Sequence, residues 1–236
     1  MSHSHTALRG SGIDLLYTQV LTQAFCDMNP DQEVYSHSRS VVGAVLLAFN
    51  PLSLRSLSDL LNGFDMPSDI STALRSFHSL LLIPDGIDDP ICVFHKSFPG
   101  FLTDPECCRD KRFFVDPSVH HTELLLSCLN LMKKRLKRNI CNLDNYPVLS
   151  SIKDLTTSQK MYIGEALEYA CFFWTRHLMK VPSSGPNVEE VQKMINEYFT
   201  MHLLCWIEVL FIMGNLDVGV YATNDAQQYY ISVSYN

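Results

Sequence analysis

The chain has 236 residues, 47% hydrophobic and 18% charged, which excludes an intrinsically disordered chain and leaves room for a real core and two domains. A net charge of −7 argues against a general nucleic-acid binder, because phosphate binding needs a basic surface. The eight cysteines form no C-x-x-C pair, so a reducing, intracellular compartment is expected and a disulfide framework is not.

Residues 1–12 are small and polar, with no apolar run of the kind a secretory signal carries, and are expected to be disordered. Helical spacing of Ile13, Leu16, Tyr17, Val20, Leu21 and Ala24 predicts a first helix over 13–28, stopped by Asn29-Pro30-Asp31. A second helix is predicted over 34–49, with Val41, Val42, Val45, Leu46 and Phe49 inward and Asn50-Pro51 ending it. Ser53 is placed to cap a third helix over 54–61, stopped by Asn62-Gly63, whose Leu54, Leu57, Leu60 and Leu61 face the core. Ser68 or Asp69 is expected to cap a fourth helix that buries Ile70, Ala73, Leu74 and Phe77. Two short apolar runs, 80–83 and 91–94, joined by an Asp-rich loop, read as a β-hairpin. Three helices followed by a hairpin is winged-helix order. Phe98, Phe101 and Leu102 suggest a helical turn that packs back on the hairpin, and 105–117 reads as a connector anchored by Phe113-Phe114.

A long helix is predicted over 118–139, with Leu125, Cys128, Leu129, Met132 and Leu136 on one side. Residues 142–158 read as irregular. Another helix follows over 159–179, burying Ile163, Leu167, Ala170, Cys171, Trp174 and Leu178. Beyond the Pro182–Pro186 break, 187–214 reads as one long helix or two joined helices, and the tail after Gly214 is open between helix and coil. The apolar stretch 198–213 is shorter than the roughly 20 residues of a membrane span and carries His202 and Glu208, so it reads as a buried core helix. The expected fold class is mainly α: a winged-helix domain with a small β-hairpin, then a helical domain.

Chemistry is sparse. The P-loop pattern G-x-x-x-x-G-K-[ST] is absent, and no G-x-S-x-G or comparable signature supports a nucleophile. His120-His121 are adjacent, point to different sides of a helix and read as surface histidines; Cys107-Cys108 have the same geometry, so no metal site is expected. The basic run Lys133, Lys134, Arg135, Lys137 and Arg138 resembles a localisation or phosphate-binding patch, but it also suits the negative end of a helix dipole. A DNA-reading helix over about 69–82 would offer only Arg75 and His78, and residues 36–102 set Arg39, Arg55, Arg75 and Lys96 against six aspartates. His95, which closes the second strand of the hairpin, is the most interesting single residue.

The stretch VFHKSFPGFLTDP (93–105) resembles the end of the winged-helix domain of fungal NACHT-type NOD-like receptors, which are STAND-class signalling NTPases. LLYTQVLTQAF (15–25), VVGAVLLAFNPLSLRSLSDLL (41–61), CLNLMKKRLKRNICNL (128–143), ALEYACFFWTRHL (166–178) and GNLDVGVY (214–221) are similar to the same proteins, so the resemblance covers about residues 13–235. After the disordered 1–12, it implies the end of the helical segment that follows a NACHT core over 13–33, and a winged helix over 34–104. A connector over 105–117 and a helical linker domain over 118–236 would complete the chain. It also implies a role in cytoplasmic signal transduction, innate immunity and heterokaryon incompatibility. The chain would be non-catalytic, since it lacks the Walker A and Walker B elements of full-length relatives. In that family the winged helix is a lid whose His reaches the β-phosphate of ADP. His95 matches that residue by position, and Lys96 and Ser97 flank it; Gly100 stands where the motif has a more polar, often acidic, residue. The implied partners are a NACHT core or full-length receptor, with ADP or ATP held there and not by this chain alone, and self-association. Neither nucleic acid nor membrane is implied. Two alternatives stay open: a stand-alone helical protein–protein adaptor and a winged-helix DNA-binding protein.

Overall fold

The structure, a computed structural model, describes residues 12–26, 32–61, 67–143 and 161–235. The expected disordered terminus, the stops at Asn29-Pro30-Asp31 and Asn62-Gly63, and most of the irregular stretch 142–158 lie outside the described residues. What is described is mainly helical, with one small two-stranded antiparallel sheet.

Helix α1 (Gly12–Cys26) buries Tyr17, Leu21 and Phe25, an i, i+4, i+8 stripe. Leu16, expected inside, is 55% exposed, because one residue along a helix turns the side chain by about 100° off that stripe. Helix α2 (Gln32–Leu47) buries Val41, Val42 and Ala44 and ends before Phe49, which leaves the helix to pack on later elements. Ser53 caps α3 (Leu54–Leu60) as expected: its Oγ accepts the Ser56 N–H at 3.1 Å, and all four predicted leucines are buried. Helix α4 starts earlier than expected, at Pro67, and ends at Leu74, so Ser68 and Asp69 sit inside its first turn. Proline is suited to that first position because its missing N–H would have no helical partner. A 3₁₀ turn (Arg75–Phe77) extends α4, and the chain then straightens into β1 (Leu81–Leu82), inside the run 80–83 read as a strand and before the end at 82 given to a DNA-reading helix. Strand β2 (Cys92–Val93) pairs antiparallel with β1, Leu81 opposite Val93. The hairpin is tied to the start of α3 by a Ser53–Pro90 bridge and by Ile91 N–H donating to Leu52 O at 3.0 Å. Helix α5 (Ser97–Thr103) sets Phe98 and Phe101 against Tyr17 of α1, ring centroids 5.4 and 5.2 Å apart.

Asp116 caps α6 (Pro117–Arg135) by accepting the Ser118 N–H at 2.9 Å. The helix stops four residues short of the expected Asn139, which adopts φ 52°. Glu208 holds the turn there, its carboxylate accepting the N–H groups of Asn139 and Ile140 at 3.1 and 3.2 Å. That role accounts for an acid inside an apolar stretch. Helix α7 (Gly164–Leu178) buries Ala166, Leu167, Ala170, Cys171, Trp174 and Leu178. Helices α8 (Val188–Met201) and α9 (Leu203–Ile212) meet at a 72° bend, so the second of the two readings for 187–214 holds. No single described helix is long and apolar enough to cross a membrane, though that bent pair is, by composition and length. The expectation that 198–213 is a buried core helix fails on one side: Leu204 is 80% exposed and Phe211 50%. Gly214 adopts φ 71° and ends α9, with its N–H on Phe211 O and the Asn215 N–H on Leu210 O. This left-handed closure is one that glycine adopts without a Cβ clash. The tail is helical, α10 (Leu216–Ser234), burying Ala222, Ala226 and Tyr229.

The buried apolar residues form one cluster from Tyr17 to Tyr229. Within it α2 packs on α6, and α3 packs on both α6 and α7. The α2–α6 approach depends on Gly43, where a Cβ would lie 2.8 Å from Cγ of the buried His120 ring. That ring is itself held by Glu123 at 2.9 Å. Gly43→Ala is therefore expected to force the helices apart and cost about 1–3 kcal/mol, read as a lower urea midpoint. An unchanged midpoint would show that the ring moves aside freely.

Candidate functional site

The turn between β2 and α5 gathers the residues that the sequence singled out. The Phe98 N–H donates to His95 O at 3.0 Å, which folds Ser97 back over the His95 ring. The Ser97 N–H then lies 3.3 Å from His95 Nδ1, and the Ser97 hydroxyl 2.7 Å from it. Tyr17 reaches across from α1: its hydroxyl is 2.8 Å from Ser97 Oγ and 3.4 Å from His95 Nδ1. A backbone N–H only donates, so Nδ1 must accept, and the neutral ring carries its hydrogen on Nε2. Tyr17 O–H, Ser97 O–H and Nδ1 form a chain that runs toward the ring. His95 and Lys96 are exposed and Ser97 is half-buried, so the ring is oriented from behind and open in front. An Nε2–H donor beside a lysine suits an anionic oxygen. Of the three expected residues, His95 and Ser97 touch, and Lys96 stands exposed beside them. Tyr17 was read only as a core residue. Its hydroxyl partners lie 78 and 80 residues away, and no local pattern signals such a contact.

A second recess, about 680 Å3, opens where α3 and the hairpin loop face α6 and α7. Ser53 and Ser56 both donate to the Glu165 carboxylate, Ser53 at 2.7 Å. Its cations are committed: Arg55 pairs with Asp88 at 2.5 Å, and Arg135 donates to Ile163 O at 3.1 Å with Asp59 at 3.8 Å. Burial, together with Glu165, raises the Glu168 carboxyl above its ordinary range. The recess is a polar seam and, among the described residues, offers no uncommitted cation to a phosphate.

The remaining candidates are placed as follows. His120 and His121 were expected on the surface. Both are buried, His120 beneath Gly43 and His121 against His177, because α6 is covered by α2 on one side and α7 on the other. In the basic run, Lys133 pairs with Glu197 at 2.5 Å and Arg135 is engaged as above, while Leu136 is buried. Burial pushes the Cys108 thiol up to about 12 and raises Cys128 and Cys171 further, which suppresses the reactive thiolate. Among the described residues no group of three or more His, Cys, Asp or Glu side chains is placed to hold a metal ion.

Compared with protein-family models, with curated proteins and with solved structures, the chain matches none.

Proposed function

We propose that this chain is the regulatory and linker region of a fungal NOD-like receptor of the STAND class, without catalysis of its own. In this reading residues 34–104 are a winged helix that closes as a lid on an ADP- or ATP-binding NACHT core. The observation that carries the reading is the state of His95: an exposed ring whose Nδ1 is occupied by Ser97, leaving Nε2–H as an outward donor. Such a donor fits a β-phosphate oxygen, and one hydrogen bond to a nucleotide is easily made in one state and lost in another. The order α2, α3, α4, β1, β2 supports it, as does the Ser53–Pro90 bridge, which adds a third segment to the edge of the hairpin. The test is ADP calorimetry on a NACHT core from a related receptor, with and without this chain. The mixture is expected to bind ADP more tightly than the core alone. His95→Ala should remove about 10- to 100-fold of that affinity, the range for a hydrogen bond to a charged group. A mixture that binds ADP no better than the core overturns the lid reading.

One observation favours a second reading, a helical adaptor that docks on full-length receptors or on a second copy. Met201, Leu204, Ile207 and Phe211 present an apolar stripe across α8 and α9, 40–80% exposed. In the same titration, binding of the chain to the core with no change in ADP affinity would favour this reading over the lid.

A further inference from the structure

Two buried histidines take no part in the proposed lid. His121 on α6 and His177 on α7 face each other with their Nδ1 atoms 2.9 Å apart. The other nitrogen of His177, Nε2, lies 2.7 Å from the Tyr169 hydroxyl, and that hydroxyl accepts the Phe49 N–H at 3.3 Å. The Phe49 ring stacks on His121 with centroids 6.0 Å apart and meets His177 at a tilt, 4.7 Å away. Phe49 belongs to the turn between α2 and α3, so this cluster joins the first half of the chain to the second.

The hydrogens along the chain follow from its one fixed end. The amide of Phe49 donates, so Tyr169 accepts there and turns its own hydrogen to His177 Nε2. A neutral ring that accepts at Nε2 carries hydrogen on Nδ1, and His177 therefore donates to Nδ1 of His121. The reverse order would leave the Tyr169 hydrogen with no acceptor among the described residues. The run of bonds from Phe49 through Tyr169 and His177 to His121 is complete only while both rings are neutral. A proton on His121 Nδ1 sets two N–H donors against each other at 2.9 Å, and a proton on His177 Nε2 displaces the Tyr169 hydrogen.

The neighbouring cations act in the same direction. From α7 and the turn after it come Arg176, 4.0 Å over the Phe49 ring, and Lys180; from α6 come His120, bonded to Glu123, and the thiol of Cys128. Glu165 and Glu168 share a recess with Tyr169 at the far end of the chain of bonds, and the Phe49 turn itself carries no titratable group. Burial holds His121 down to about 4, helped by Lys180 and His120, and His177 down to about 3, helped by His121 and Arg176.

We propose that Tyr169, His177 and His121 form an acid-released clasp that holds the Phe49 turn, and with it the first half of the chain, against α6 and α7. The histidines of an opened chain take up protons near pH 6.5, whereas those of the closed clasp do not until about pH 4. Stability from the clasp is therefore complete above pH 6.5 and falls as the pH drops from there toward 4. The carboxylates held low by partners, Asp88 by Arg55, Asp110 by Arg112 and Glu197 by Lys133, lose stability only in the lower carboxylate range, so the two windows separate.

The experiment is urea unfolding of the intact chain between pH 7 and 4.5, with no nucleotide present, so that its outcome is independent of the lid reading. The unfolding constant of the wild type should rise about 10-fold for each proton taken up per pH unit below pH 6.5. His121→Asn and His177→Gln keep polar groups in place without titrating there, and each should remove about one proton from that slope. His78→Asn, at an exposed histidine, should leave it unchanged. A wild-type slope below one proton between pH 6 and 5, or variants with the wild-type slope, overturns the proposal. If neither variant folds, exchange of the wild-type Phe49 amide decides: its protection should fall at least about 10-fold from pH 7 to 5 relative to Val209, and equal protection overturns the clasp.

Discussion

Trp206→Ala is expected to destabilise the second half of the chain by about 3–5 kcal/mol, the largest single-residue effect foreseen for this fold. Trp206 is 1% exposed and stands where four helices meet. Its Nε1–H donates to Cys171 O of α7 at 3.0 Å. Its ring meets Trp174 of α7 edge-on at 6.0 Å and Tyr198 of α8 at 5.8 Å. On the α10 side, Gly219 approaches so closely that a Cβ there would lie 4.0 Å from Trp206 Cη2 and 3.2 Å from Leu210 Cδ1. Truncation would remove the aromatic packing, open a cavity that four helix axes cannot all collapse into, and strip a donor from a buried carbonyl. Trp174 Nε1 and Tyr198 OH are buried with no protein partner among the described residues, so Trp206 is the member of this aromatic group that a hydrogen bond orients. Trp206→Phe separates the effects: it keeps most of the packing, loses the donor, and should cost about 1–3 kcal/mol. The check is urea unfolding followed by circular dichroism, with Trp174 fluorescence as a local reporter. A loss under about 1 kcal/mol for the alanine variant would show that the bundle does not close around this ring.

The helix faces were legible in the sequence wherever the buried stripe is made of large apolar side chains. The α3 leucines and the α7 stripe from Leu167 to Leu178 are found inside as their spacing requires. The tail was ambiguous for a physical reason: α10 packs through Ala222, Ala226 and Gly219, small residues that give closeness to neighbours but little hydrophobic signal. The histidines misled for a different reason. Adjacent helical residues point to different sides, which is true of His120 and His121, but α6 is covered on both of those sides. The contact that shapes the candidate site spans a long stretch of chain, Tyr17 to Ser97 over 80 residues, and so do the other buried polar contacts: His121 to His177 over 56, and Ser53 to Glu165 over 112. Spacing rules describe neighbours within one helix or one hairpin, and none of these pairs shares either. His95 itself was picked out in the sequence because it lies in a turn between two readable elements. The state of its ring needed the fold, since the nearby Ser97 amide and the distant Tyr17 hydroxyl converge on it only there.

Phe25→Ala is expected to cost about 3–4 kcal/mol and, unlike the loss of Trp206, to reach the candidate site. Phe25 is 1% exposed and gathers the first half of the chain: it stacks on Tyr35 of α2 at 4.9 Å, meets Phe77 edge-on at 5.6 Å, and touches Phe113 of the connector at 5.2 Å. Arg112, paired with Asp110 at 2.6 Å, lies 5.2 Å over Phe113 and 5.7 Å over Tyr35, closing the edge of this group. Phe25 is also the last buried side chain on the stripe of α1 that carries Tyr17, eight residues and about two turns away. Loosening that end of α1 should let Tyr17 withdraw from Ser97, and the Ser97 hydroxyl would then be free to leave Nδ1 of His95. The measurement is the nitrogen spectrum of the His95 ring together with exchange of the Ser97 amide. In the wild type Nδ1 should read as an acceptor and Nε2 as the protonated nitrogen; in Phe25→Ala the two tautomers should mix and the amide lose protection. Tyr17→Phe removes the hydroxyl without emptying the core, so it should reproduce the change at His95 with a much smaller loss of stability. If the His95 nitrogens are unmoved in both variants, the ring is set by Ser97 alone, and α1 contributes packing but no orientation to the donor.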